Sequence, residues 1–275
     1  MKKILVYIFM AASFSLVYGF DEGFIWALKA NFNGTATMPS ISDSDLYKIG
    51  ATFMKGGVGY TMDGEAELGY LFGSKKWFGL DDTSKFSGMS FYGSIGVGNG
   101  FAGQISGGTF EGVSATMFIN VYYSPVISFG VGTKAYFLNS RLALGFHIGG
   151  KIIADLSPQY MAYSDSGILD PEPEVGEIIV TDFMISNMNP VMFSMKLLLE
   201  YNQPVNDRVE VILGAYTRFN IYTPKYVTMP SSLLDIMNQA LEKDGRPAFS
   251  TETPLPSYYI NSLDFGLTLG LAFKG

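Results

Sequence analysis

Alternation of apolar and polar residues with a period of two is the dominant pattern in this sequence. In residues 57–72, bulky side chains such as Tyr60 and Leu68 alternate with Gly, Thr, Asp and Glu. The same alternation recurs in residues 26–33, 113–123, 141–155, 208–218 and 262–273. Successive side chains of a β-strand point to opposite faces, so this pattern predicts an all-β protein with one apolar and one polar face per strand.

The lengths of these runs favour strands that cross a membrane. Soluble strands average about 5–6 residues, whereas tilted membrane strands need about 9–11. The alternative is a soluble, lipocalin-type barrel with its apolar side chains inside. A barrel of about 8–10 strands has an interior only just wide enough for side chains. The Leu, Phe and Tyr face is too bulky for that space, so we expect it to face lipid and the small polar face to line the lumen.

The expected architecture is a transmembrane antiparallel up-and-down β-barrel of ten strands, with eight as the alternative. The ten predicted strands are 22–34, 56–72, 88–98, 101–107, 110–123, 126–138, 141–156, 190–203, 208–222 and 257–273. Turns at Asn99–Gly100 and Gly107–Gly108 divide the Gly-rich centre in this scheme. If that centre forms one strand, the count is eight. The long polar segments 157–189 and 223–256 are predicted outer loops.

The start of the chain resembles an export signal. Lys2 and Lys3 precede an apolar stretch from Ile4 to Val17, and a small residue follows at Gly19. This pattern predicts a signal peptide over residues 1–19, which leaves residues 20–275 as the barrel.

Composition narrows the function classes. The formal net charge of −7 argues against nucleic acid as a partner, because that interaction needs a basic face. The chain has no Cys, which excludes disulfides and thiolate ligands. Gly (32 residues) and aromatic residues (15%) are abundant, as in membrane barrels.

The closing run of Leu263, Phe265, Leu267, Leu269, Leu271 and Phe273 resembles the C-terminal assembly signal of small outer-membrane β-barrels of diderm bacteria, the OmpA, OmpX and OmpW-like class. The resemblance extends over the whole mature chain. It implies a location in the outer membrane, contact with its lipid, and recognition by the barrel insertion machinery. One departure is that Lys274 and Gly275 follow Phe273, whereas the class usually ends on an aromatic residue.

The polar face supplies the candidate functional residues. The expected lumen-lining set is Lys29, Asp63, Glu65, Glu67, Lys134, Arg141, His147, Lys151, Asp155, Lys196, Glu200, Arg208, Glu210, Arg218 and Asp264. These residues form either a network of ion pairs that fills the interior, which we favour, or a charged constriction in a narrow pore. We expect no metal site, because the acidic row Asp63, Glu65 and Glu67 should meet basic neighbours. No cofactor is expected. His147 is the only histidine, and its own strand offers no partner near enough for catalysis, so no enzyme activity is expected.

The outer loops carry the remaining signals. Residues 232–243 place apolar side chains at helical spacing, which predicts a short amphipathic helix. Loop 157–189 is acidic, through Asp165, Asp170, Glu172, Glu174, Glu177 and Asp182. We therefore expect a structural or surface-interaction protein that acts through its outer loops on an unidentified extracellular partner. The alternative is a narrow channel for small or hydrophobic solutes, as the OmpW-like resemblance implies.

Overall fold

The computed structural model is dominated by one antiparallel sheet. It describes residues 22–39, 53–80, 85–110, 113–164, 167–168, 190–222, 226–227, 231–243, 255–256 and 260–274. The predicted signal peptide lies outside these residues. Among the described residues, no helix is long and apolar enough to cross a membrane.

Eight long strands form the barrel wall. They are β1 (Gly23–Pro39), β2 (Phe53–Gly73), β3 (Phe86–Phe110), β4 (Val113–Phe137), β5 (Leu142–Ile153), β8 (Val191–Pro204), β9 (Val209–Tyr222) and β12 (Ile260–Lys274). Their order around the wall is β3-β2-β1-β12-β9-β8-β5-β4, and pairing of β3 with β4 closes it. Each backbone donor and acceptor row therefore has a partner strand, which is the condition for crossing a bilayer with strands.

Short elements complete the described chain. They are α1 (Ser74–Phe78), β6 (Leu156–Ser164), β7 (Gly167–Ile168), β10 (Tyr226–Val227), α2 (Ser231–Lys243) and β11 (Leu255–Pro256). The helix predicted over residues 232–243 is confirmed as α2. Strand β6 continues past β5 and pairs with Ala115–Tyr123 of β4, so part of the sheet extends beyond the closed wall.

The preferred count of ten strands is not confirmed, and the wall has the eight strands of the alternative. The turn expected at Asn99–Gly100 is wrong, because β3 runs through it from Phe86 to Phe110 with only a register shift at Gly98/Gly100. The expected break between residues 123 and 126 is also absent, since β4 continues through Ser124–Pro125. These irregularities resemble turns in the sequence, but both neighbouring strands stay paired across them, as in β-bulges.

Short turns lie at one end of the barrel, which we name the inner end. Residues 138–141 join β4 to β5, and residues 205–208 join β8 to β9. Leu138, Asn139 and Ser140 have φ values of 53°, 57° and 65°, the left-handed conformation of a tight turn. In the other turn, the Asn206 side chain accepts bonds from the next backbone N–H groups. The opposite, outer end carries the long connections, as expected for an outer-membrane barrel.

The two faces of the wall differ completely in polarity. The outward face exposes large apolar side chains, including Leu28, Phe32, Val58, Leu68, Ile95, Phe129, Leu144, Leu197, Leu213, Leu267 and Leu269. No exposed strand position of the described wall between Tyr60 and Tyr70 levels carries a charge. The buried face is polar and charged. A soluble protein would reverse this arrangement, so the outward face contacts lipid and the chain is a transmembrane barrel of the outer membrane.

Aromatic residues border the apolar band. At the inner end, Phe72 meets Tyr70 and Trp77 with centroid distances of 4.9 and 5.0 Å. At the outer end, Tyr60 packs edge-on against Phe101 at 4.9 Å. Ten residues of β2 separate Tyr60 from Tyr70, which corresponds to about 25 Å along the membrane normal for a strand tilted by about 40°. This distance matches the apolar band of an outer-membrane barrel.

Candidate functional site

Twelve of the fifteen expected lumen residues lie inside the barrel. They are Lys29, Asp63, Glu65, Glu67, Lys134, His147, Lys151, Lys196, Glu200, Glu210, Arg218 and Asp264. The expectation is wrong for Arg141, Asp155 and Arg208, which are all exposed. Arg141 and Arg208 belong to the inner turns, and Asp155 lies at the bend between β5 and β6. Strand alternation no longer fixes side-chain direction where a strand ends or bends.

The layer nearest the inner end contains a closed set of four ion pairs, which we name the charge ring. Lys29 pairs with Glu67 at 2.6 Å and also with Glu200. Lys134 pairs with the same two carboxylates at 2.6 and 3.0 Å. The four residues come from β1, β2, β4 and β8, so their side chains cross the lumen. Positive and negative charges alternate, and each buried charge has two opposite neighbours.

The next layer surrounds Glu65. Lys196 donates to the Glu65 carboxylate at 2.8 Å, and the Asn31 amide donates to it at 2.9 Å. His147 lies beside this layer, where its Nε2 is 3.0 Å from the Ser94 hydroxyl and its ring stacks on Tyr92. No described carboxylate hydrogen-bonds His147. A histidine that activates a serine needs such an orienting group, so the pair lacks one element of a hydrolytic triad.

The third layer lies nearer the outer end. Arg218 pairs with Asp63 at 3.3 Å, and Lys151 lies 3.6 Å from Asp264. The Asp264 carboxylate also accepts hydrogen bonds from Thr35 at 2.9 Å and Asn220 at 2.8 Å. The acidic row on β2 therefore meets basic neighbours, as expected. In the part of the chain that the structure describes, no group of three or more His, Asp or Glu is arranged to hold a metal ion.

The residues that follow the aromatic C-terminal position have a defined place. Phe273 lies on the outer face and stacks on Trp26 across the β1–β12 seam, with ring centroids 3.9 Å apart. Lys274 continues β12 and forms an ion pair with Glu210 at the inner mouth. The departure from the expected aromatic ending thus adds a further ion pair without displacing the aromatic residue from the wall.

The lumen is neutral and nearly full. Six acidic and six basic side chains are paired in it, namely Asp63, Glu65, Glu67, Glu200, Glu210, Asp264 and Lys29, Lys134, Lys151, Lys196, Arg218, Lys274. The two cavities found among the described residues, one at each end, each have about 20 Å³ of space, enough for about one water molecule. Between them, the charged layers occupy the cross-section.

Several neutral side chains that complete these layers were missed. They include Asn31, Thr35, Tyr92, Tyr216 and Asn220. Asn31 bonds Asp63 and Glu65, whereas Tyr92 and Tyr216 place their rings against Lys134 and Lys196. All five lie at inward positions of their strands. The alternation could have identified them, but only charged residues were selected as candidates.

A separate polar contact lies outside the membrane at the inner end. Glu22 accepts hydrogen bonds from Lys76 and from the Trp77 indole. The Lys76 hydrogen bond is the largest cause that lowers the pKa of Glu22, and the same contact raises the pKa of Lys76. The contact joins the start of β1 to α1. It is exposed, so we assign it little stability.

Comparisons with known proteins agree with a barrel but do not identify a family. No protein-family model and no curated protein matches the sequence. Neisserial surface protein A is 8% identical, with 91% of this chain and 97% of that chain covered and a TM-score of 0.30. The outer membrane protease OmpT from Escherichia coli is 7% identical, with 95% and 100% covered and a TM-score of 0.33. OprG from Pseudomonas aeruginosa is 7% identical, with 90% and 95% covered and a TM-score of 0.27. At these values the function has to be argued from the lumen and the surface.

Proposed function

We propose that this protein is a closed outer-membrane barrel that acts as a structural or surface-interaction protein through its outer segments. The charge ring carries the proposal, because its four side chains meet across the lumen. A solute would have to separate buried ion pairs in order to pass. Removing one partner of such a pair costs about 3–5 kcal/mol, which opposes spontaneous opening. The channel alternative has no comparable observation in its favour.

The absence of enzyme activity is part of the same proposal. Ser94 and His147 are the nearest approach to a catalytic pair, but they lie within the filled lumen without an orienting carboxylate. Replacing His147 with Gln should leave every surface property unaltered. A hydrolytic activity that the unaltered protein has and His147→Gln loses would contradict the proposal.

Single-channel recording in a planar bilayer tests the closed lumen. The refolded protein should insert without steady conductance. A Lys29→Ala/Glu200→Ala variant is the control, because it shortens two crossing side chains and leaves the neutral pair of Glu67 and Lys134. This variant should conduct, which shows that the assay detects an open lumen. Reproducible openings of the unaltered protein would overturn the closed-barrel proposal.

The surface role rests on the outer segments. Residues 165–189 contain six acidic and no basic residues and lie, apart from residues 167–168, outside the described part. We expect a cationic partner there. A hexalysine peptide is a suitable probe for the protein in lipid nanodiscs. Neutralising the six acids to Asn and Gln should weaken its binding roughly tenfold, since exposed pairs contribute a few tenths of a kcal/mol each. Neutralising Glu22 and Asp207 at the inner end is the matched control. Equal binding by all three proteins would contradict the surface role.

A further inference from the structure

A partly open cavity lies at the outer end of the lumen, beyond the Arg218 layer. Its walls are contributed by seven strands, and the lining residues are Thr61, Ala102, Val121, Tyr123, Val126, Lys151, Leu156, Met192, Asn220, Tyr222 and Ser262. Most of these side chains are apolar or aromatic. The polar ones converge near Asp264. The space, about 20 Å³, admits one group of the size of a water oxygen.

Two buried polar groups in this cavity lack hydrogen-bond partners among the described residues. The Lys151 side chain is 5% exposed, and its ammonium has one polar contact, with Asp264 at 3.6 Å, which is longer than a hydrogen bond. Asn220 is 2% exposed, and its Oδ1 accepts no hydrogen bond. The orientation of this amide is fixed, because its Nδ2 donates to the Asp264 carboxylate, which only accepts. One donor and one acceptor therefore remain unused.

We propose that this cavity binds the hydroxyl group of a small neutral solute that carries a short apolar chain. A hydroxyl oxygen can accept from the Lys151 ammonium and donate to Asn220 Oδ1, so one group satisfies both. The apolar chain would pack against Val126, Leu156 and Met192.

Charged ligands fit the cavity less well. A carboxylate would lie close to Asp264 and to the free oxygen of Asn220, neither of which can donate to it. An ammonium would face Lys151 and Arg218. The opposite charges already balance here, since Lys151 pairs with Asp264 and Arg218 with Asp63. A neutral group adds no unpaired charge to a buried site, which is the least costly choice.

The inference does not depend on the proposed function. The cavity lies on the outer side of the charged layers, so a bound solute enters and leaves by the same end whether or not the inner layers open. Binding without conductance is the combination expected of a closed barrel, and each property is measured separately.

Three probes with the same carbon chain and different head groups test the proposal: 1-propanol, propanoate and propylammonium. The full chain in nanodiscs, with ¹³C-methyl methionine, reports contact through nuclear Overhauser effects from the probe to Met192. Saturable effects are expected for 1-propanol, and binding at least about tenfold weaker is expected for the two ions, because each loses one of two hydrogen bonds and meets a like charge. Stronger binding of either ion, or no saturable effect from any probe because the cavity holds water only, would overturn the proposal.

Substitutions locate the site. Lys151→Leu removes the donor and should weaken 1-propanol binding about tenfold. Lys274→Leu is the matched control, because it also removes an ion-paired lysine but lies at the inner mouth. It should leave binding unaltered. Equal weakening by both variants would contradict the assignment, and the probe series on the unaltered protein decides the question if Lys151→Leu does not fold.

Discussion

The charge ring makes a quantitative prediction about stability. Lys29 lies 2.6 Å from Glu67 and also contacts Glu200, and its side chain is completely buried. Two unit charges 2.6 Å apart attract with about 6 kcal/mol at an effective dielectric constant of 20, and desolvation offsets part of this. In Lys29→Met the two carboxylates share Lys134 alone. We expect the free energy of unfolding to fall by about 3–5 kcal/mol, the usual cost of breaking a buried pair.

A double-mutant cycle separates the ring from simple loss of packing. Lys29→Met/Glu200→Gln removes one charge of each sign and leaves Glu67 paired with Lys134 at 2.6 Å. Its cost should therefore be smaller than the sum of the two single costs, by about 1–3 kcal/mol for directly contacting groups. Urea unfolding of the vesicle-inserted barrel, followed by tryptophan fluorescence and heat-modifiable gel mobility, provides the measurement.

A comparison with an exposed pair supplies the control. Lys76 pairs with Glu22 at the inner end, where its side chain is 68% exposed. Lys76→Met should reduce stability by less than about 1 kcal/mol. Our reasoning is refuted if Lys29→Met costs no more than this, or if the double variant costs the full sum. Either result would mean that the ring charges do not interact as the distances indicate.

Three further predictions concern the wall and its inner end. Gly266→Val should cost about 1–3 kcal/mol in urea unfolding, since even a Cβ there would lie 2.3 Å from a tyrosine ring packed over the glycine. Phe273→Ala should lose the stack on Trp26 and cost about 0.5–1.5 kcal/mol more than the same change at an unstacked lipid-facing Phe. The Glu22 contact should persist above the ordinary carboxyl pKa of 4.5 and disappear as the pH falls through its lower folded value. Emission of the tryptophan bonded to it should change there and stay constant in Glu22→Gln, with the raised pKa of Lys76 keeping the other partner charged across this range.

The sequence predicted the class and the two faces of the wall because both follow from alternation. A period of two assigns each side chain to lipid or lumen without knowledge of its neighbours. Strand boundaries need more information. The Ser124–Pro125 site and the Asn99–Gly100 site have turn composition, yet each lies within a strand whose neighbour pairs on both sides of it. Pairing across an irregularity depends on the partner strand, which local composition does not describe.

The pairing pattern of the lumen also depends on three-dimensional information. Glu67 and Lys29 are direct cross-strand partners, so their contact follows once the register of β1 and β2 is known. Lys134 and Glu200 reach the same place from β4 and β8, which are separated from β1 by other strands. Such contacts depend on the diameter of the barrel and hence on the number of strands. The undecided choice between eight and ten strands therefore left the filled and open lumen undecided as well.

The distribution of charge supports separate roles for the interior and the outer segments. The lumen contains six acidic and six basic residues, so it contributes nothing to the net charge of −7. Six acids with no base are concentrated within residues 165–189. A narrow wall has to neutralise its interior, because an unpaired charge there has no access to bulk water. A segment outside the wall has no such constraint. The excess negative charge is consequently available to a partner from the outside, which is where we propose that this protein acts.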